Sequence, residues 1–170
     1  MNLQRLKFVI SILNRIKMKT TLFSIGVISL FTLFSFISKP EKAEKKEINW
    51  LTITEAYKLN QKEPRKIFVD VYTNWCGWCK KMDKETFSDP EIVDMVNEKF
   101  YAVKLNAENT EPITMAGDTT TAQMIARSMG VTGYPTIVYI KEDFKTIQPV
   151  PGYQNAKKFK DTLEKILAWK

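Results

Sequence analysis

Lys66-Ile67-Phe68-Val69-Asp70-Val71-Tyr72-Thr73-Asn74-Trp75-Cys76-Gly77-Trp78-Cys79-Lys80 carries more information than any other stretch of this chain. Its first half is β-branched and aromatic, bounded upstream by Pro64, and reads as a buried strand over Lys66–Tyr72. A helix is predicted from Cys76 to about Thr86. Two thiols therefore stand where a strand hands over to a helix. At a helix N-terminus the first backbone N–H groups lack partners and the positive end of the dipole is close. A thiolate at Cys76 is stabilised there and should titrate below the free-thiol value of ~8.5, with Lys80 and Lys81 adding positive potential. Cys79, three residues on, lies on the same side of the helix and can reach the first sulfur.

That spacing suits two-step exchange. The Cys76 thiolate attacks a disulfide, a mixed disulfide forms, and Cys79 resolves it to leave Cys76–Cys79 oxidised. Such chemistry wants the first thiol exposed and the second sheltered. Two other uses stay open on the residues alone. One is a structural disulfide, although so short a loop removes little chain entropy. The other is a metal half-site completed by another chain.

Composition narrows the field further. The chain has 170 residues, 44% hydrophobic and 26% charged, an ordinary globular balance. It has no His and only two Cys. Nucleophile systems that need His, His-ligated zinc or haem, and a four-Cys zinc site are excluded. No metal and no cofactor is expected. The net charge of +7 is uneven: residues 1–49 carry nine Lys/Arg against three Glu, and residues 50–170 carry seventeen against sixteen acids. A nearly neutral folded part speaks against a nucleic-acid partner.

Upstream, residues 20–38 hold no charge and follow Arg5, Lys7, Arg15, Lys17 and Lys19. At 1.5 Å per residue they would span roughly 28 Å as a helix, enough for a bilayer core. The basic flank reads as a secretory signal or signal anchor, with the chain after Lys39 outside the cytoplasm. No A-x-A-like site follows, which favours retention over cleavage. Three parts are expected: a signal or anchor over 1–38, a charged linker over 39–49, and one folded domain over 50–170.

Within that domain, Thr52 or Thr54 should cap a helix through about Gln61. Ser88-Asp89-Pro90-Glu91 should start another with Ile92, Val93, Val96 and Phe100 on one face. A second strand is expected over Tyr101–Leu105 and a polar loop over 107–119. Thr120 should cap a helix through Met129. Strands follow over Thr136–Ile140 and from Lys145 to about Val150, and Asn155 should cap a last helix striped by Phe159, Leu163, Ile166 and Leu167. This order predicts an α/β fold with a mixed sheet and helices on both faces.

Over most of residues 50–170 the chain resembles the thioredoxin superfamily. KIFVDVYTNWCGWCK resembles its strand and active-site turn, VKLN its next strand, and VTGYPT its cis-proline segment. KETFSDPEIV is closer to exported, periplasmic thioredoxin-like domains such as the C-terminal domain of the electron carrier DsbD. The resemblance implies the thioredoxin fold. It makes Asp70 a buried acid that accepts the Cys79 proton, Lys104 its neighbour, and Pro135 a cis-proline beside the dithiol. Tyr134 would then offer main-chain groups to an extended substrate, and Trp75, Gly77 and Trp78 would frame the sulfur. It implies thiol-disulfide exchange with protein substrates in the periplasm or cell envelope, with a membrane electron donor. The family's reference members carry Pro or His where Trp78 stands. Without that His the thiolate is less stabilised, which favours a reductant over an oxidant. The alternatives are a disulfide isomerase and a non-catalytic binding or chaperone module using the Trp75/Trp78 surface. The 107–119 connection is longer than the family's by roughly a dozen residues, as a partner-selecting element or as a tolerated insertion.

Overall fold

The computed structural model describes residues 46–169, and the expected signal or anchor over 1–38 and the linker residues 39–45 lie outside them. Among the described residues no helix is long and apolar enough to cross a membrane. The elements run β1 (Trp50–Leu51), α1 (Ile53–Asn60), β2 (Lys66–Tyr72), α2 (Gly77–Glu85), α3 (Pro90–Lys99), β3 (Phe100–Asn106), β4 (Pro112–Met115), β5 (Asp118–Thr121), α4 (Ala122–Ser128), β6 (Thr136–Ile140), β7 (Ile147–Pro151) and α5 (Ala156–Leu167). Five strands form one sheet in the order β1-β3-β2-β6-β7. β2 pairs parallel with β3 and antiparallel with β6, so the strand that leads to the dithiol is the centre of a mixed sheet.

The alternation of side chains along β2 divides the core. Ile67, Val69 and Val71 face one apolar layer with Ile53 and Ala56 of α1 and Ala122 and Ala126 of α4. Phe68 faces the other, with Met82 of α2, Ile92, Val93 and Val96 of α3 and Phe159, Leu163 and Ile166 of α5. Its ring meets those of Trp50, Phe87 and Phe159 at centroid distances of 5.6, 6.1 and 5.8 Å. Such aromatic pairs each add about 0.5–1.5 kcal/mol beyond area burial. Asp70, two residues after Phe68, must face that same layer and hence α2.

Helix starts follow local hydrogen bonding. Thr52 and Glu55 form a capping box on α1. Asp89 caps α3 through the N–H groups of Glu91 and Ile92, with Pro90 opening the helix, while Ser88 donates instead to the Lys84 carbonyl. Asn155 caps α5.

Several expectations need correction. Folded structure begins before Trp50: Ile48 is buried in the Phe68 layer, and Asn97 of α3 holds the segment by accepting from Asn49 N–H and donating to the Glu47 carbonyl. Trp50–Leu51 is a short edge strand parallel to β3. Phe100 opens β3 rather than closing the α3 face, and Thr121, not Thr120, caps α4. β7 starts at Ile147, because Asp143 ties the preceding residues into a turn by accepting from Lys145 and Thr146.

In place of the expected loop over 107–119 the chain forms a hairpin, β4–β5, that runs on to Thr121 and is closed by Ala116 and Gly117 at φ 55° and 92°. Two consecutive left-handed residues match the twist of a two-residue hairpin, and Gly117 supplies that conformation without strain. The signal was present as the alternation Ile113-Thr114-Met115 facing Asp118-Thr119-Thr120 across Ala-Gly. The polar flanks of the segment concealed it.

Candidate active site

Cys76 is the N-cap of α2. Its Sγ accepts the N–H of Cys79 at 3.0 Å, its own N–H donates to the Thr73 carbonyl, and its carbonyl accepts from Lys80. The two cysteines form a disulfide across Cα atoms 5.3 Å apart, a span that one helical turn supplies. In this oxidised state both are buried, Cys76 4% exposed and Cys79 3%. The structure thus buries the first cysteine along with the second in the disulfide, where the sequence reading expects the first thiol exposed.

What is exposed is the frame. Trp75 and Trp78 expose 67% and 56%. Trp75 donates its indole N–H to Glu108 at 2.8 Å and meets the Tyr134 ring edge-on at 5.8 Å. Trp78 lies 5.3 Å from the Tyr153 ring, and Lys81 sits over both. Tyr153 is anchored by donating to Glu85 at 2.9 Å. A Cβ added at Gly77 would meet nothing within 4 Å, so this face of the helix N-terminus is open. The Tyr134–Pro135 bond is cis, and the Pro135 carbonyl accepts from Gly152 at 2.8 Å. Through the Trp75–Tyr134 contact this loop stands next to the dithiol.

Beneath the helix lies a charged group of three. Asp70, 1% exposed, pairs in register with Lys104 of β3. Lys104 Nζ lies 2.7 Å from Asp70 Oδ2 and also binds Asp83 of α2. The ammonium is ringed by Trp50, Tyr72 and Phe87 at 4.9–5.5 Å. Burial pushes the Asp70 carboxyl up to about 6; Lys104 pulls it back only in part, and the Asp83 charge pushes the same way as burial. For Lys104 burial acts downward, and the two carboxylates overcome it, so its pKa rises. Asp70 Oδ1 has no hydrogen-bond partner. A buried, orphaned carboxyl oxygen that titrates near neutrality on the α2 side of the sheet has the chemistry of a proton acceptor.

Sequence reasoning missed Asp83, Glu108, Tyr153 and Thr73. Asp83 was within reach, being four residues after Cys79 and so on the same helix face. Glu108 and Tyr153 come from loops that only the closed sheet brings to the two tryptophans.

A mixed sheet whose central strand delivers a Cys-x-x-Cys pair to a helix cap, opposite a cis-proline loop, defines a thioredoxin-fold dithiol protein. The thioredoxin-like domain model matches residues 53–167, and the chain belongs to that family. The thiol:disulfide interchange protein DsbD of Photorhabdus laumondii is 25% identical over 120 residues, 69% of this chain and 19% of that protein. The chain thus spans about a fifth of the length of the curated relatives it matches. A DsbH oxidoreductase structure aligns with a TM-score of 0.59 at 18% identity, covering 73% of this chain and 87% of its own. A thioredoxin-fold protein from Helicobacter pylori aligns at 0.55 with 25% identity, covering 61% and 69%.

Proposed function

We propose that Cys76 and Cys79 exchange disulfides with protein substrates outside the cytoplasmic membrane, working as a reductant. The observation that carries this reading is the dithiol at the cap of α2 above the Asp70–Lys104–Asp83 group. In the reduced protein the Cys76 thiolate attacks a substrate disulfide. One Cys76–substrate bond forms, the substrate S–S bond breaks, and one substrate thiolate leaves. Cys79 then loses its proton to Asp70 and attacks Cys76 Sγ. The mixed disulfide breaks, the second substrate thiolate leaves, and Cys76–Cys79 is oxidised as the substrate gains two electrons. A dithiol donor in the membrane returns those electrons.

Support for the direction is the Gly77-Trp78 dipeptide, which puts no cation between the cysteines. Support for the compartment is the uncharged run 20–38 behind its basic flank. The DsbD relatives are named as thiol:disulfide interchange proteins. Trp75 and Trp78, both more than half exposed, favour a second use of the same face as a binding surface for unfolded or extended segments.

The test is turnover of a protein disulfide by the purified chain with dithiothreitol as donor. Cys76→Ser should abolish it, and Cys79→Ser should accumulate mixed disulfides. Undiminished turnover in Cys76→Ser would defeat the exchange reading. Partner binding that survives loss of both thiols, without turnover in the parent protein, would establish the binding module instead. Equilibration with glutathione should place the couple below roughly −180 mV, where reductants lie. A value near −120 mV, or faster reshuffling of scrambled substrate than net reduction, would overturn the direction.

A further inference from the structure

At Trp75, the residue before Cys76, a cleft of about 130 Å³ is lined by Trp75, Tyr134 and residues of helix α4. That volume is well below the roughly 300–1,000 Å³ of small-molecule pockets and suits one side chain. Ala126 and Val131 supply its apolar wall. Two of its polar groups are unspent. Thr73 is 2% exposed, and its hydroxyl has no hydrogen-bond partner. Arg127, exposed in the last turn of α4, enters no ion pair among the described residues. The cleft's carboxylate, Glu108, is engaged by the Trp75 indole N–H at 2.8 Å.

We infer that this cleft takes an acidic side chain of the substrate segment, next to the substrate cysteine, with Arg127 as its cation and Thr73 as its buried donor. The proposal rests on the reading of the dithiol as an exchange site. A buried hydroxyl left unpaired costs free energy that a ligand oxygen recovers. A guanidinium presents its N–H groups as a fork matched to a carboxylate. Glu108 repels an acid at the Trp75 rim and so fixes the orientation, with the carboxylate toward α4. A lysine would be drawn to Glu108 at the Trp75 rim and would leave Arg127 and the Thr73 hydroxyl without a partner.

The experiment uses one short peptide in three versions, with Glu, Gln or Lys beside a cysteine that is disulfide-linked to 2-mercaptoethanol. The reduced protein is mixed with each, and kcat/KM is measured. The Glu peptide should be preferred over the Lys peptide by roughly fivefold to tenfold at low salt, with the ratio shrinking as salt rises. Arg127→Gln should bring the ratio close to one, and Arg127→Glu should reverse it. Thr73→Val should reduce the Glu preference without reversing it. Calorimetric binding of cysteine-to-serine versions to the oxidised protein reads the same ranking without chemistry. Binding that ranks Glu first while no peptide is reduced would remove the exchange reading and keep the cleft. Reduction of all three peptides at equal rates, or a ranking unchanged in Arg127→Glu, would overturn the cleft alone. Neither binding nor reduction would overturn both.

Discussion

Asp70 is a carboxyl group held where its charged form is disfavoured. Folding moves it from 3.8 to about 6. Well below pH 3.8 it is protonated in both states and costs nothing. Between pH 4 and 6 the unfolded chain ionises first, so stability falls as pH rises, and above 6 the full penalty is present. Asp70→Asn should therefore stabilise the oxidised protein by on the order of 3 kcal/mol at pH 8, with no gain near pH 2.5, as read from urea unfolding at both values. If Asp70 accepts the Cys79 proton as proposed, the same substitution should slow release of the mixed disulfide by about a hundredfold at neutral pH while leaving capture nearly intact. Asp83 acts through Lys104. Asp83→Asn removes a charge that raises Asp70 and leaves the ammonium to one partner, so the Asp70 titration followed by carboxyl carbon NMR should move down. At this scale Cys76 and Cys79 were legible because their spacing across one turn is a local property, while Asp70 was singled out as a buried acid by the resemblance to the thioredoxin superfamily. Thr73 and Arg127 were not, since nothing local says that a hydroxyl before the dithiol and a cation on α4 line one cleft.

Among the elements, α2 is started by the residue just before it. Cys76 caps it in place of the usual hydroxyl or carboxylate, so Cys76→Ser should preserve the helix start while removing the thiol. For α1, Thr52→Ala removes the capping box and should cost about 1 kcal/mol in thermal or urea unfolding. The hairpin β4–β5 turns on two left-handed residues. Ala116→Gly should gain about 0.5–1 kcal/mol and Gly117→Ala should lose a similar amount, although space at Gly117 is open, because the cost lies in the backbone alone. Elements with a cap and a run of apolar period were read to within a residue or two. Trp50–Leu51 was not read, because two residues carry no period, and they become a strand by pairing with Ala102 and Val103.

In the whole molecule the sheet is a partition between two apolar layers, and the dithiol's chemistry depends on which layer each strand residue meets. The Phe68 layer receives Ile48 from ahead of the sheet, so a fragment beginning at Trp50 should unfold at lower urea than one beginning at Lys46. An α/β order with a mixed sheet and the paired thiols were contained in the order of residues, because periodicity, capping and a three-residue spacing act over a few ångströms of chain, and the thioredoxin-type architecture and the buried acid followed from the family resemblance. The pairing of Lys104 with both Asp70 and Asp83, the burial of both sulfurs and the cleft between Trp75 and α4 came from closure of the sheet. Their residues stand tens of positions apart, and their energies exist only once water has been driven from between them.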